Sequence, residues 1–409
     1  MTSTARPPRA TDTPAMRARV SLGRAIGPLS VEFLLILSSV LFLTVFGVVM
    51  IFSATTVESI AETGSPFNDG MGHLVYAAVG IPLMLIVSRL PVAWLRRLAW
   101  PGLVIGLVLQ LLVFTPLGFE FGGNRNWLDL GAVTVQPSEF LKLALALWMA
   151  LVLYRKRDRL DSFWQVAIPL LPVALLAMGT VLAGEDLGTV MIMALIVLGA
   201  MFFAGVRLRM LLPLILGGVL AVGFMALTST NRLTRIMSVL DQDCLDDYLG
   251  TCYQPLHAMW GLAGGGLLGL GLGNSKEKYN WLPAAADDYI FAIVGEELGL
   301  LGCVVVLALF AVLAVGTFRI VRRTDDLFAR VAAGGIGVWI IGQALVNIGV
   351  VLRIFPALGV PLPFLSAGGS SLIAVLLASG ILLSLARTLP DGARPVGAVP
   401  APLRRKIVR

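Results

Sequence analysis

The sequence predicts an all-α polytopic membrane protein with ten transmembrane helices. Of its 409 residues, 57% are hydrophobic and only 13% are charged, whereas charged residues make up about 25% of an ordinary soluble domain. Ten apolar stretches are each long enough to cross about 30 Å of hydrocarbon. This composition excludes a soluble protein, and it excludes a disordered chain because so much apolar surface cannot remain in water.

The apolar stretches give the order of the membrane segments. The first is too long for the core of a signal peptide and lacks a small-residue cleavage pattern, so we expect it to be retained. A loop of about sixty residues, 229–286, separates segments seven and eight, and uninterrupted loops of that length are usually functional. The predicted segments are residues 31–53, 72–90, 98–117, 136–154, 163–183, 187–205, 209–228, 287–318, 331–352 and 365–387.

The net charge of +7 indicates orientation rather than nucleic-acid binding. Of the 31 Lys and Arg residues, 24 lie in the two tails and in loops on one side of the predicted segments. The positive-inside rule makes that side cytoplasmic, so both termini are predicted inside and loop 229–286 outside. We expect disordered basic tails at 1–28 and 389–409, flanking a membrane domain over 29–388.

Seven basic residues do not follow this orientation and are candidates for function. Lys142 lies inside the fourth segment, where an unpaired ammonium is expensive, and Glu139 shares its helix face three residues earlier. From the residues alone, this pair is either a structural ion pair or part of a polar site. The seven residues are Arg125, Lys142, Arg232, Arg235, Lys276, Lys278 and Arg353.

Cysteine and histidine usage limits the chemistry. Cys244 and Cys252 both lie in loop 229–286, where an oxidising compartment favours a disulfide over two free thiols. The chain has only two histidines, which argues against histidine-based metal chemistry and against a Ser-His-Asp hydrolase. The glycine-rich run at 264–273 lacks the Lys of a phosphate-binding loop and favours close backbone packing.

Several motifs occur together and in a fixed order along the chain. The motifs are 136–142 (QPSEFLK), 186–189 (DLGT), 254–261 (QPLHAMWG), 264–276 (GGGLLGLGLGNSK), 281–292 (WLPAAADDYIFA), 295–299 (GEELG), 347–349 (NIG) and 361–371 (PLPFLSAGGSS). In these motifs, over roughly residues 31–388, the chain resembles the SEDS family (shape, elongation, division and sporulation). It is most similar to the FtsW branch of actinobacteria and less so to the RodA branch.

The resemblance implies a peptidoglycan glycosyltransferase of cell division. Such an enzyme polymerises lipid II into glycan strands at the outer face of the cytoplasmic membrane, at the septum, and releases undecaprenyl diphosphate. The implied partners are a class B penicillin-binding protein (an FtsI-like transpeptidase) and other divisome membrane proteins, with no nucleic acid and no organic cofactor. A RodA-type elongation polymerase, a lipid II flippase with polar sites on the inner side, and a division scaffold stay open as alternatives.

Asp288 occupies the motif position of the family's catalytic aspartate. Lipid II carries an α-linked diphosphate and the product linkage is β, so a single inverting displacement needs a base for the acceptor's 4-hydroxyl. From the residues alone, Asp288 could instead cap the eighth membrane helix. The adjacent Asp287 leaves open which carboxylate has which role.

The diphosphate must be stabilised by cations or oriented donors, which gives a set of candidate substrate-binding residues. Glu296 lies about 80° around the helix from Asp288 and is expected to share its cavity, whereas Glu297 is expected to make interhelical hydrogen bonds. Arg232 and Arg235 could instead lie in a solvated loop. The candidates are Arg125, Glu139, Lys142, Arg232, Arg235, Lys276, Lys278, Glu296 and Ser370.

A divalent cation, Mg²⁺ or Mn²⁺, would also screen the diphosphate. Asp186 and Asp288 are the candidate ligands, but the sequence offers no closed ligand set. Asp186 could equally cap the sixth membrane helix. Arg353 departs from the family pattern, because glycine is common at its position.

Overall fold

The computed structural model describes residues 30–121, 123–131, 133–227, 230–240, 250 and 252–389. Within these residues, ten helices are long and apolar enough to cross a membrane, which confirms the predicted number of spans. The spanning helices are α1 (Val31–Thr63), α2 (Asn68–Val87), α3 (Val92–Leu112), α4 (Pro137–Arg155), α5 (Phe163–Leu182), α6 (Leu187–Ala204), α7 (Leu208–Leu227), α10 (Ile290–Arg323), α11 (Leu327–Val351) and α12 (Gly369–Arg387).

Helix α1 is longer than the hydropathy pattern predicts. The apolar stretch ends near Ser53, but the helix continues to Thr63. It stops at Gly64, which adopts a left-handed conformation (φ 73°) and donates its backbone N–H to the Ile60 carbonyl, a common way to end a helix. The polar residues after Ser53 end the hydrophobic signal without ending the helix.

Helix α10 is two helices joined at a kink. Gly299 has φ 67° and ψ −164°, a backbone conformation that glycine tolerates far better than other residues. A Cβ at this position would lie 2.4 Å from the backbone nitrogen of Gly269. The kink therefore depends on the glycine-rich run that packs against it.

A small sheet lies between α3 and α4, in addition to the predicted helices. Strands β1 (Gly118–Phe121), β2 (Asn124–Asp129) and β3 (Thr134–Val135) form an antiparallel sheet in the order β1-β2-β3. The segment was predicted as a loop because strands of two to six residues give almost no periodic signal. We call the side of the membrane domain that carries these strands the sheet face.

The long connection 229–286 contains two further helices, α8 (Thr230–Leu240) and α9 (Tyr253–Gly265). The glycine-rich run after α9 lies directly against α10. A Cβ at Gly265 would lie 1.9 Å from the Gly295 carbonyl oxygen, and one at Gly269 would lie 2.1 Å from that of Glu297. The close backbone packing predicted for this run is therefore observed.

Helices α4, α11 and α12 form the buried centre of the bundle, whereas α7 is almost entirely exposed. Trp148 on α4 and Trp339 on α11 are among the largest fully buried side chains. Helix α4 packs against α3, α6 and α11, and α12 packs against α2. The ends of these central helices, together with the sheet, surround the candidate site.

Candidate functional site

A cavity of about 680 Å³ opens at the sheet face. It brings together residues from α2, α8, α9, the start of α12, all three strands, and the connections that precede α4, α6, α10 and α12. One wall is acidic, and a single arginine lies among the lining residues. The polar and aromatic lining residues are Tyr76, Phe119, Asn124, Asn126, Trp127, Thr134, Gln136, Asp186, Arg235, Gln254, Asp287, Asp288 and Ser371.

Asp288 and Asp287 lie in the turn just before α10, and their backbone is firmly held. Asn347 on α11 donates its side-chain amide to the Asp288 carbonyl at 2.8 Å. The Ser366 hydroxyl donates to the Asp287 carbonyl. Since these contacts use only the main-chain carbonyls of the two aspartates, both carboxylates remain open to the cavity.

The structure does not support a capping role for Asp288. The N-cap residue of α10 is Tyr289, and no side chain caps this helix end. Within the described residues, neither the Asp287 nor the Asp288 carboxylate has a hydrogen bond or ion pair. A carboxylate in a cavity that is not used by the fold is available for chemistry.

The surroundings raise the pKa of both carboxylates. Burial, reinforced by the neighbouring Asp287 charge, raises the pKa of Asp288 to about 7, although Arg235 opposes the rise. Burial and the Glu58 charge raise the pKa of Asp287 to about 6. Protein atoms surround both carboxylates, although water reaches them through the open cavity. The side chain of Asp287 is therefore exposed and that of Asp288 is half-buried by solvent accessibility. A base with a pKa near the operating pH is well suited to proton transfer.

Arg235 supplies a positive charge to the cavity. It lies on α8, and its guanidinium donates to the Ala357 carbonyl at 3.4 Å, which leaves most of its donors free for a ligand. Its charge is close enough to lower the pKa of Asp288. Arg235 therefore lies on a helix rather than in a loop, and its side chain is exposed at the cavity. The side chain of Arg232 lies outside the described part of the structure.

Glu139 and Lys142 form a buried ion pair, with 2.9 Å between Lys142 Nζ and Glu139 Oε1, and both charges act on the cavity residue Asp186. The ammonium also donates to Gln343 Oε1 at 2.8 Å and lies 5.1 Å from the centroid of the Trp339 ring. Glu139 Oε2 has no hydrogen-bond partner among the described residues. The pair does not line the cavity, so its direct contribution is structural support and charge.

Asp186 caps α6, as its alternative interpretation predicted. Its carboxylate accepts from Thr189 N at 2.8 Å and from the Asn126 amide at 3.0 Å. It also lines the cavity, and burial raises its pKa. Among the described residues, no three His, Cys, Asp or Glu side chains are close enough to hold a metal ion. Binding of a divalent cation stays a prediction.

Three further candidate residues, Arg125, Lys276 and Ser370, lie outside the cavity wall. The Arg125 guanidinium donates to the carbonyls of Val113 and Thr115, both at 3.1 Å, and so ties the sheet to the end of α3. Lys276 is exposed. Ser370 accepts from the Gln136 backbone N–H at 3.2 Å, and its neighbour Ser371 lines the cavity instead.

Glu296 and Lys278 belong to a buried network that fastens the 270–278 segment to α10. Glu296 accepts from the Ser275 hydroxyl at 2.5 Å and from the Lys276 backbone N–H at 2.8 Å. Lys278 Nζ lies 3.3 Å from Glu297 Oε1. The expectation that Glu296 shares the Asp288 cavity is wrong, because its carboxylate is turned toward this segment.

Arg353 and the cysteine pair of the long connection are the remaining sequence predictions. Arg353 has φ 57° and donates to the Ser238 carbonyl at 2.7 Å. Its left-handed backbone is a conformation that favours glycine over residues with a side chain. Cys244 lies outside the described residues, so its pairing with Cys252 stays a prediction.

Sequence reasoning missed Tyr76, Asn126 and Gln136 as cavity residues. Gln136 opens a recognised motif, and Asn126 adjoins a candidate arginine, so both carried a weak signal. Tyr76 lies in an apolar stretch of α2 and carried none. Its position in the wall depends on how α2 packs against α12.

Comparisons with known proteins agree with the sequence resemblance. The probable peptidoglycan glycosyltransferase FtsW of Mycobacterium tuberculosis is 35% identical over 386 residues, covering 94% of this chain and 73% of the relative. Stage V sporulation protein E of Bacillus subtilis is 36% identical over 361 residues, covering 88% and 97%.

Solved structures share the fold. RodA of Thermus thermophilus superimposes with a TM-score of 0.61 at 26% identity, covering 86% of this chain and 95% of RodA. A second solved structure concerns the coordination of polymerization and crosslinking by a peptidoglycan synthase complex. One of its chains superimposes with a TM-score of 0.68 at 27% identity, covering 85% of this chain and 96% of that chain. The family model for cell cycle proteins of the FtsW, RodA and SpoVE type matches residues 33–390. The chain is therefore a multi-pass membrane protein that belongs to the FtsW, RodA and SpoVE family of cell cycle proteins.

Proposed function

We propose that this protein is a peptidoglycan glycosyltransferase that polymerises lipid II into glycan strands during cell-wall synthesis. The observation that carries the proposal is the pair of unengaged carboxylates in a polar cavity, with the Asp288 pKa raised to about 7. Its relatives named as peptidoglycan glycosyltransferases support the reaction class.

In the proposed reaction, ionised Asp288 takes the proton from the 4-hydroxyl of the acceptor sugar. The resulting oxygen attacks the anomeric carbon of the donor sugar from the face opposite the diphosphate. The carbon–oxygen bond to the diphosphate breaks, and the α linkage is replaced by a β linkage. The undecaprenyl diphosphate leaves with the bonding electron pair, and Asp288 then releases its proton to water.

The remaining cavity residues have distinct roles in this scheme. Arg235 is the lining cation that can offset the charge of the departing diphosphate. Asp287 raises the pKa of Asp288 and so makes it a stronger base. The Glu139–Lys142 pair lies close enough to Asp186, a cavity residue, for both charges to act on it, and their effects oppose each other. Mg²⁺ or Mn²⁺ bound with the diphosphate would supply further charge screening.

We assign the protein to the division septum, with the sheet face outside the cytoplasmic membrane. The FtsW relatives support the division role over the RodA-type elongation role. A class B penicillin-binding protein is the proposed partner, supported by the structural similarity to a chain of a peptidoglycan synthase complex. Other divisome membrane proteins are further proposed partners.

The proposal is tested by glycan-strand formation from fluorescent lipid II, using the purified protein with its cognate penicillin-binding protein. We expect wild type to form polymer and Asp288→Asn to lose it while still binding lipid II. Asp287→Asn is the matched control, since it changes the adjacent carboxylate in the same turn. Polymer formation by Asp288→Asn at the wild-type rate would exclude Asp288 as the base. Absence of polymer from wild type beside an active partner would contradict the enzyme assignment.

A further inference from the structure

Asn347 on α11 opens one of the recognised sequence motifs, and the proposed reaction gives it no role. Its side chain is 1% exposed, which keeps it out of reach of a ligand in the cavity. Its side-chain nitrogen donates to two main-chain carbonyls, those of Asp288 and Val360, each at 2.8 Å. A single buried amide therefore joins the residue that carries the proposed base to a part of the chain that is distant in sequence.

Val360 lies in the connection between α11 and α12, which forms one wall of the cavity. The same connection also contacts the aspartate turn directly. Ala367 N donates to the Ala286 carbonyl at 3.1 Å, and the Ser366 hydroxyl donates to the Asp287 carbonyl. The connection and the turn therefore form one hydrogen-bonded unit.

Gln343, one helical turn before Asn347, fixes this connection to α11. Its Nε2 donates to the Pro361 carbonyl at 2.8 Å. Its Oε1 accepts from Lys142 Nζ and from Trp339 Nε1, both at 2.8 Å. Because both donors meet the amide oxygen, the nitrogen must face the connection. A chain of hydrogen bonds therefore runs from the buried ion pair to the wall that Asn347 also holds.

The chemistry of the Asn347 position requires an amide. Both of its partners are carbonyl oxygens, which accept hydrogen bonds and cannot donate them. A primary amide has two N–H donors on one nitrogen and no charge, so it satisfies both carbonyls at once. Leucine has nearly the same shape but would leave both carbonyls without this donor, and an unpaired buried carbonyl is costly.

We propose that Asn347 is a positioning residue that sets where the Asp288 carboxylate lies in the cavity. Within the described residues no hydrogen bond holds that carboxylate, so its place depends on the main chain that Asn347 fixes. A base must lie within hydrogen-bond reach of the proton it takes, and a displacement of about 1 Å can cost about 100-fold in rate. This inference rests on the proposed function, because the expected effect is on the polymerisation step.

Steady-state kinetics with lipid II and the cognate penicillin-binding protein test the proposal. Asn347→Leu keeps the shape of the side chain and removes both donors. We expect kcat to fall by about tenfold or more, with KM for lipid II within about twofold because no substrate contact is removed. A wild-type kcat, or a loss that appears in KM instead, would overturn the positioning role. Asn347→Ser, which leaves room for a water molecule beside the carbonyls, should change kcat in the same direction and serves where Asn347→Leu does not fold.

Ser366→Ala is the matched control, because it releases the neighbouring Asp287 carbonyl in the same turn. We expect its kcat to fall by less than about threefold, since Asp287 does not take the proton in the proposed reaction. Equal losses of kcat in Ser366→Ala and Asn347→Leu would mean that the connection acts only as a general support, and would overturn a specific role for Asn347.

Hydrogen exchange supplies a readout that does not depend on turnover. Asp288 N donates to the Ala284 carbonyl at 3.0 Å, so a loosened turn should exchange this amide faster. We expect peptides spanning 284–289 to exchange about threefold faster or more in Asn347→Leu, while peptides of α4 keep the wild-type rate. Unchanged exchange at 284–289, or equal acceleration in α4, would overturn the positioning role. Failure of wild type to polymerise beside an active partner would instead overturn the proposed function, and the exchange rates would still decide whether Asn347 holds the turn.

Discussion

At the scale of single residues, Asp287 and Asp288 show how neighbours assign different roles to identical side chains. Burial raises the pKa of both carboxylates. The pKa of Asp288 is raised further by the Asp287 charge, and Arg235 opposes this rise. The higher pKa, about 7, belongs to the carboxylate that matches the family's catalytic position. In the proposed reaction, Asp288 is the base and the adjacent Asp287 charge raises its pKa.

Loss of Asp288 is expected to affect the reaction far more than loss of Asp287. Asp288→Asn removes the base, so we expect the rate of polymerisation to fall by about 100-fold or more. Asp287→Asn should retain measurable polymerisation. Single-turnover polymer formation at saturating lipid II measures both. A larger loss in Asp287→Asn than in Asp288→Asn would reverse the assignment of roles.

The pH dependence follows from the same pKa values. The base must be ionised, so activity at low substrate should rise with pH through about 7, the Asp288 pKa. Asp287→Asn removes a negative charge that raises this pKa, so its activity curve should shift to lower pH. Rates of wild type and Asp287→Asn from pH 5 to 9, each scaled to its own maximum, test this. Coinciding curves would mean that the Asp287 charge does not reach the base.

The buried Glu139–Lys142 pair gives a stability prediction. Lys142→Met leaves Glu139 as an unpaired buried charge, which should cost about 3–5 kcal/mol of unfolding free energy. Glu139→Leu combined with Lys142→Met removes both charges and should recover most of that loss. Thermal unfolding of the purified variants in detergent measures the difference. Equal losses in the single and double variants would mean that the pair does not act as a unit.

At the scale of elements, the glycine-rich run 264–273 packs directly against the first half of α10, the helix that follows the Asp287–Asp288 turn. Backbone atoms of the two segments touch, with Leu270 N donating to the Glu296 carbonyl at 3.0 Å and Gly271 N to that of Glu297 at 2.9 Å. Side chains from the same segment then bind the Glu296 and Glu297 carboxylates. The two acidic residues therefore hold the scaffold of the site rather than its substrate.

Gly265→Ala should disrupt this contact. Its Cβ would lie 1.9 Å from the Gly295 carbonyl oxygen, so the backbone must shift, at a cost of about 1–3 kcal/mol. Gly264→Ala is the matched control, because nothing lies within 4 Å of a Cβ there. We expect a lower melting temperature and slower polymerisation only in Gly265→Ala. Equal behaviour of the two variants would show that the contact tolerates a methyl group.

At the scale of the whole molecule, the basic connections α2–α3, α4–α5, α6–α7 and α10–α11 join helix ends opposite those that carry the sheet and the cavity. We expect the sheet face to be extracytoplasmic, since 24 of the 31 Lys and Arg residues lie in the tails and the loops predicted on the other side. Tyr279 is 58% exposed in the segment before Asp288. Arg157, between α4 and α5, has a 59% exposed side chain.

Cysteine labelling of intact cells checks this orientation. A membrane-impermeant maleimide should modify Tyr279→Cys without permeabilisation and Arg157→Cys only after it, because only one of the two faces meets the medium. The unsubstituted protein controls for reaction at the native cysteines. Labelling in the opposite pattern would place the cavity in the cytoplasm and contradict synthesis at the outer face.

The sequence alone determined the ten spans, the Glu139–Lys142 pair and Asp288 as the candidate base. These depend on local properties: the length of an apolar stretch, the helical repeat and a motif of adjacent residues. The sheet escaped prediction because its short strands gain stability mainly from pairing with one another.

Only the tertiary structure decided which polar residues meet in the cavity. It placed Arg235 beside Asp288, turned Arg125 toward the end of α3, and used Glu296 to hold the 270–278 segment. Cavity walls are formed by side chains far apart in sequence, and whether a charge faces a ligand or a neighbouring backbone depends on helix packing. No local pattern contains that information.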